Sequence, residues 1–99
     1  MKVLLDECVP SKLRRELTVT ERGWSGIENG ELLSLAQNEF DVFLTVDQNL
    51  TYQQTLRTFN IAIVLMVAKS NRARTLLPMM IRVRDALEII QAGDFVRIG

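Results

Sequence analysis

Three short, largely apolar runs occur along this chain, and each run predicts a strand that is buried on both faces of a sheet. The runs cover residues 2–6, 40–46 and 61–66, and they lack the apolar–polar alternation of a strand with one solvated face. A shorter run over 95–98 predicts a final edge strand. The β-prone segment 18–20 is only a fragment, so the second strand of the sheet is expected to be shortened or missing.

Helical patterns separate these runs. They cover residues 10–17, 28–38 and 50–57, and a last region carries a broad apolar face after residue 71. Pro78 is expected to interrupt that last region, so that residues 71–77 form a separate turn. The predicted apolar face of the second helix consists of Leu32, Leu33, Leu35 and Ala36. The predicted apolar face of the last region consists of Leu76, Leu77, Met80, Ile81, Val83, Leu87 and Ile90. Ser70 or Asn71 is expected to be the N-cap of this region, and Gly93 its C-cap.

The alternation of strands and helices sets the expected fold class. It predicts one α/β domain over residues 1–99, in which helices cover both faces of a mostly parallel central sheet in a three-layer α/β/α arrangement. No repeat, linker or low-complexity stretch divides the chain.

The composition narrows the chemistry. The 12 basic and 12 acidic residues cancel, so no strong overall field draws the protein to nucleic acid or membrane. A single cysteine and the lack of a signal-peptide pattern favour the cytoplasm. The chain has no histidine, which excludes a Ser-His-Asp triad. A general base must therefore be a carboxylate, a lysine or a metal-bound water.

Acidic residues follow two of the predicted strands. Asp6 ends the first run and Asp47 ends the second, while Glu31 lies in the first turn of a predicted helix. Since the carboxyl ends of parallel strands meet at one edge, these carboxylates would lie together, and a hard divalent cation would relieve their repulsion. The alternative is structural: Asp47 would cap the next helix, and Glu31 would be a solvated residue favoured by the helix dipole.

Several sequence blocks resemble one known family. The blocks are Val3-Leu4-Leu5-Asp6-Glu7, Gly23-Trp24-Ser25-Gly26, Asn29-Gly30-Glu31-Leu32-Leu33, Leu44-Thr45-Val46-Asp47-Gln48-Asn49-Leu50 and Tyr52-Gln53-Gln54. In this order along nearly the whole chain, they resemble the small PIN-like proteins, which are related to the VapC-type PIN-domain toxins.

The resemblance implies a PIN-like fold and a ribonuclease that depends on Mg²⁺ or Mn²⁺. It places the catalytic, metal-binding carboxylates at Asp6, Glu31 and Asp47. The last acidic position of the family's cluster falls on Asn49, whose neutral amide is a weaker metal ligand and disfavours a second metal. The implied partners are an RNA substrate and a cognate antitoxin protein. The small size of the domain and its apolar last helical region also predict a homodimer, and no apolar run is long enough to span a membrane.

Basic and aromatic residues near these blocks are candidates for RNA contact. Lys12, Arg14 and Arg15 lie on the helix after Asp6, and Tyr52 follows the Asp47 turn. The alternative is that they form solvated helix faces.

Two other functions stay open at this point. Asn49 and the short second strand also fit an inactive PIN-like module that binds a partner protein or RNA. An Asp-Glu pair after the first strand, Asp47 after a later strand and Lys69 after the third also occur in receiver domains that accept a phosphoryl group, although a receiver leaves Glu31 unexplained.

Overall fold

The described part of the chain is an α/β structure built on a parallel sheet. The computed structural model describes residues 2–6, 9, 10, 13, 29–46, 59–70 and 72–99. Within them, four strands pair in the order β1-β2-β3-β4, and every pair is parallel. The strands are β1 (Val3–Leu5), β2 (Val42–Thr45), β3 (Ala62–Met66) and β4 (Phe95–Ile98). The sequence prediction of a mostly parallel sheet is thus confirmed for this part.

The helices lie between the strands in the chain. Among the described residues they are α1 (Asn29–Ala36), α2 (Ala73–Leu76) and α3 (Met80–Ile89), and a 3₁₀ turn over Leu77–Met79 joins the last two. Pro78 lies at the start of this 3₁₀ turn, where its missing N–H costs least. The predicted interruption at Pro78 is therefore confirmed. None of the helices in the described residues is long and apolar enough to cross a membrane.

Two hydrophobic clusters cover the sheet, because successive strand residues face opposite sides. Val42 and Leu44 belong to the cluster that contains Val83 of α3, whereas Phe43 belongs to the cluster that contains Leu33 and Ala36 of α1. All four residues of β2 and all five of β3 are buried. Burial on both sides explains why these strands show no polar alternation.

The apolar faces predicted for the helices were too broad. In α1, Leu32, Leu33 and Ala36 are buried, but Leu35 is 41% exposed. In the last helical region, Leu77 is 37% exposed and Ile81 is 67% exposed, so both lie outside the core. A helix buries only the stripe that faces its sheet, and these residues lie beside that stripe.

The predicted cap at Gly93 was also wrong. Helix α3 ends at Ile89 with Ile90 in an extended conformation as its C-cap, four residues before Gly93. Gly93 instead occupies the third position of a turn in which the amide of Asp94 donates to the carbonyl of Gln91 at 3.0 Å. Its φ of +88° suits that position, which favours glycine. The turn leads directly into β4.

The start of the last helical region also differs from the sequence prediction. Arg72 is the N-cap of α2 and makes no side-chain capping bond. The hydroxyl of Ser70 accepts a hydrogen bond from the amide of Arg72 at 3.1 Å, so Ser70 contributes to this end without being the cap. Asn71 lies outside the described residues. The same holds for the predicted helix over 50–57 and for the predicted helix over 10–17, of which only residues 10 and 13 are described.

Candidate functional site at the carboxyl edge of the sheet

Asp6 directly follows β1, and backbone hydrogen bonds fix it on both sides. Its amide donates to the carbonyl of Leu44 at 2.9 Å, and its own carbonyl accepts from the amide of Val9 at the same distance. Val9 itself is buried in the hydrophobic cluster on the sheet face opposite α1. The carboxylate is half-buried at the place where the sequence predicts it.

A buried hydroxyl orients this carboxylate. The Oγ1 atom of Thr45 donates a hydrogen bond of 2.7 Å to the Oδ2 atom of Asp6. The bond follows from the strand register, because Leu5 pairs with Leu44 and the next row therefore places Asp6 beside Thr45. The side chain of Thr45 is fully buried, and in the described residues no buried side-chain nitrogen or oxygen lacks a hydrogen-bond partner.

Sequence reasoning did not identify Thr45 as a functional residue. Its hydroxyl interrupts an otherwise apolar strand, and a hydroxyl in such a position needs a partner inside the fold. That interruption was the only signal in the sequence, and the identity of the partner depends on register.

Glu31 lies in the first turn of α1 and is exposed. Because α1 leads through residues 37–41 into the start of β2, it runs antiparallel to the strands, and its first turn lies toward their carboxyl ends. It packs on the sheet face that carries Leu4, and alternation from Leu5 assigns Asp6 to the same face. The topology therefore assigns Glu31 and Asp6 to one face and one edge.

The other predicted site residues lie outside the described part of the chain. These are Asp47, Asn49, Lys12, Arg14, Arg15 and Tyr52. Among the residues that the structure does describe, no group of three or more acidic or cysteine side chains is arranged to hold a metal ion.

The donors at this edge have the chemistry of a site for a hard divalent cation. Mg²⁺ and Mn²⁺ prefer carboxylate oxygens, which Asp6 and Glu31 supply. A hydrogen bond that fixes the orientation of a carboxylate also favours metal binding, because the carboxylate loses less conformational freedom when it binds the ion. The Thr45 hydroxyl provides this bond for Asp6.

In comparisons with known proteins, no family model, no curated protein and no solved structure matched this chain.

Proposed function

We propose that this protein is a metal-dependent ribonuclease of the PIN-like type, with Asp6, Glu31 and Asp47 as the carboxylates that hold Mg²⁺ or Mn²⁺. The supporting observation is the hydrogen bond of 2.7 Å from the buried Thr45 hydroxyl to Asp6 at the carboxyl edge of a parallel sheet. Ligands of open parallel sheets bind at this edge. The bond gives Asp6 a defined orientation there before any ligand arrives.

The position of Asp47 relative to Thr45 supports a shared site. Asp47 follows Thr45 by two residues, and side chains two apart along an extended chain face the same side. The sequence spacing thus supports our proposal that Asp47 is a third ligand beside Asp6 and Glu31.

The lack of histidine determines the chemistry that the proposal needs. A bound divalent cation would lower the pKa of a water and offset the charge of the phosphate. In the hydrolysis, a water oxygen bonds to phosphorus as the bond from phosphorus to the leaving oxygen breaks, and the proton that the water loses is balanced by the proton that the leaving oxygen gains. Asp6, Glu31 and Asp47 would hold the ion, and the Thr45 hydroxyl would keep Asp6 in place.

The proposal includes a three-layer α/β/α arrangement of PIN-like type. It is supported by the two hydrophobic clusters, because one contains residues of α1 and the other contains residues of α3. The proposal extends to RNA as substrate, a cognate antitoxin as protein partner, a homodimer and a cytoplasmic location.

A second candidate is a PIN-like module that has lost catalysis and binds RNA or a protein. The observation in its favour is Asn49, a neutral amide at the position where the PIN-like family carries its last acid. This module would retain the fold and the Thr45–Asp6 bond but would cleave no RNA.

Cleavage of a labelled single-stranded RNA by the purified full chain tests the proposal. We expect cleavage with Mn²⁺, none with excess EDTA, and none in the variants Asp6→Asn, Glu31→Gln and Asp47→Asn. Asp85→Asn is the matched control, because Asp85 is an exposed carboxylate on α3. Activity that survives Asp6→Asn would refute the assignment, and an inactive wild type with intact RNA binding would favour the non-catalytic module.

A further inference from the structure

One segment of the chain is strongly basic although the whole chain is neutral. Residues 67–84 contain five basic residues and no acidic one. The basic residues are Lys69, Arg72, Arg74, Arg82 and Arg84. Since the chain carries 12 charges of each sign, the acidic residues are concentrated elsewhere, and this segment forms a local positive field.

The first three of these cations lie at the same edge of the sheet as Asp6. Strand β3 ends at Met66, and the chain continues past the carboxyl edge through Lys69 before α2 begins at Ala73. Strands β1 and β3 flank β2, so their carboxyl ends lie about 10 Å apart at the usual strand spacing. Lys69, Arg72 and Arg74 are all exposed.

The other two cations of the segment belong to a different surface. Arg82 and Arg84 are exposed residues of α3, which runs from the carboxyl edge back toward the start of β4 at the opposite edge. The structure therefore divides the basic segment into an edge group, Lys69, Arg72 and Arg74, and a pair on the outer side of a helix.

The backbone beneath the edge group is anchored. The amide of Val67 donates to the carbonyl of Ile98 at 2.7 Å, and Ala68 and Ala73 pack against the hydrophobic cluster on the α3 side. Between them, the amide of Arg72 donates to the Ser70 hydroxyl, and the Arg72 carbonyl accepts from the amides of Thr75 and Leu76. The three side chains thus extend from a backbone segment that is fixed by hydrogen bonds and packing. Fixing the backbone in advance reduces the conformational entropy that is lost when the side chains bind a ligand.

We infer that Lys69, Arg72 and Arg74 bind the phosphate backbone of single-stranded RNA and lead it across the carboxyl edge to Asp6. The inference rests on the proposed ribonuclease function and adds the part that holds the substrate. Lysine and arginine at such an edge contact phosphates without regard to base, so they position the strand and leave sequence choice to other residues. A fixed strand brings its phosphodiester to the carboxylates at high effective concentration.

Binding of a fluorescent 12-nucleotide oligouridine, followed by anisotropy in EDTA, tests the inference without any need for cleavage. The test variant is the double substitution Lys69→Ala/Arg72→Ala. The matched control is Lys2→Ala/Arg82→Ala, which also removes one exposed lysine and one exposed arginine but at the amino edge and on α3. Thermal unfolding of both variants verifies that they fold.

The test variant is expected to raise the Kd by about tenfold or more, because hydrogen bonds to charged groups are among the strong ones. The slope of log Kd against log KCl, measured from about 50 to about 300 mM, should fall by roughly 1.4, since each lost phosphate contact of a single strand removes about 0.7. Arg74→Ala added to the test variant should lower the slope again. The control should change the Kd less than about twofold.

Three results would overturn the inference. The first is an unchanged Kd in the test variant, and the second is an equal loss of RNA affinity in the control variant. The third is tight binding of an acidic peptide with no binding of RNA, which would assign the segment to a protein partner. Loss of RNA binding in the test variant without any cleavage by the wild type would retain the inference and refute the nuclease. Cleavage that depends on Asp6 but not on Lys69 and Arg72 would support the nuclease function and refute the inference about RNA binding.

Discussion

Thr45 and Asp6 come from neighbouring strands and meet through one hydrogen bond of 2.7 Å at the carboxyl edge of the sheet. The donor is fully buried, and the acceptor is half-buried directly after the end of β1. The sheet register therefore determines where this carboxylate lies, through the pairing of Leu5 with Leu44 one row earlier. The carboxylate and the backbone of Asp6 are thus both hydrogen-bonded to β2.

Replacing Thr45 with valine is expected to lower the free energy of unfolding by about 1.5–3 kcal/mol. Valine matches threonine in shape but has no hydroxyl, and a hydrogen bond to a charged group contributes roughly this amount. Urea denaturation measures the change. Thr45→Ser keeps the donor, so its free energy of unfolding is expected to stay closer to that of the wild type. A valine variant as stable as the wild type would show that the hydrogen bond contributes nothing to stability.

The same substitution should weaken metal binding although Thr45 is not a proposed ligand. Removing a group that orients a ligand typically costs about 10–100-fold in metal affinity. Isothermal titration with Mn²⁺ compares the wild type with Thr45→Val and Thr45→Ser, and we expect the loss in the valine variant. If Mn²⁺ binds the wild type and the valine variant equally well, Thr45 has no part in preparing Asp6.

Two leucines of α1 should respond very differently to truncation. Leu33 is fully buried in the cluster with Phe43, so Leu33→Ala is expected to cost about 2–4 kcal/mol of unfolding free energy. Leu35 is 41% exposed, and Leu35→Ala should change the stability by less than about 0.5 kcal/mol. Both variants keep the helix propensity high, because alanine is the best helix former. Equal costs in urea denaturation would contradict the orientation of α1.

Gly93→Ala is expected to destabilise the protein by about 1–2 kcal/mol through the backbone alone. The glycine has a φ of +88°, which L residues rarely adopt, yet an added Cβ would meet no atom within 4 Å. Gly93→Asn should cost less than the alanine variant, because asparagine tolerates positive φ better. Thermal unfolding of both variants gives the comparison, and an alanine variant equal to the wild type would show that the turn relaxes without cost.

The sequence by itself determined most of the strands and their type. Runs of apolar residues at 40–46 and 61–66 predicted buried strands, and β2 (Val42–Thr45) and β3 (Ala62–Met66) lie within them. The prediction succeeded because a strand that is covered on both faces consists almost entirely of apolar residues, so its composition alone indicates its burial. The interruption of the last helical region at Pro78 was predictable for an equally local reason, the missing N–H of proline.

Only the tertiary structure decided which apolar helix residues are buried and what Gly93 does. Periodicity could not separate Leu33 from Leu35 or Met80 from Ile81, because the width of the covered stripe depends on how the helix sits on the sheet. Gly93 matched a helix cap by type, but the actual end of α3 placed it in the turn before β4.

The candidate site divides in the same way. The sequence identified Asp6 as the residue after a buried strand, since an acid that ends an apolar run is visible locally. It could not supply Thr45 as the partner, because the two residues are 39 positions apart and meet only through the register of β1 against β2. Strand register arises from the packing of both hydrophobic clusters at once, and no local pattern in the chain contains it.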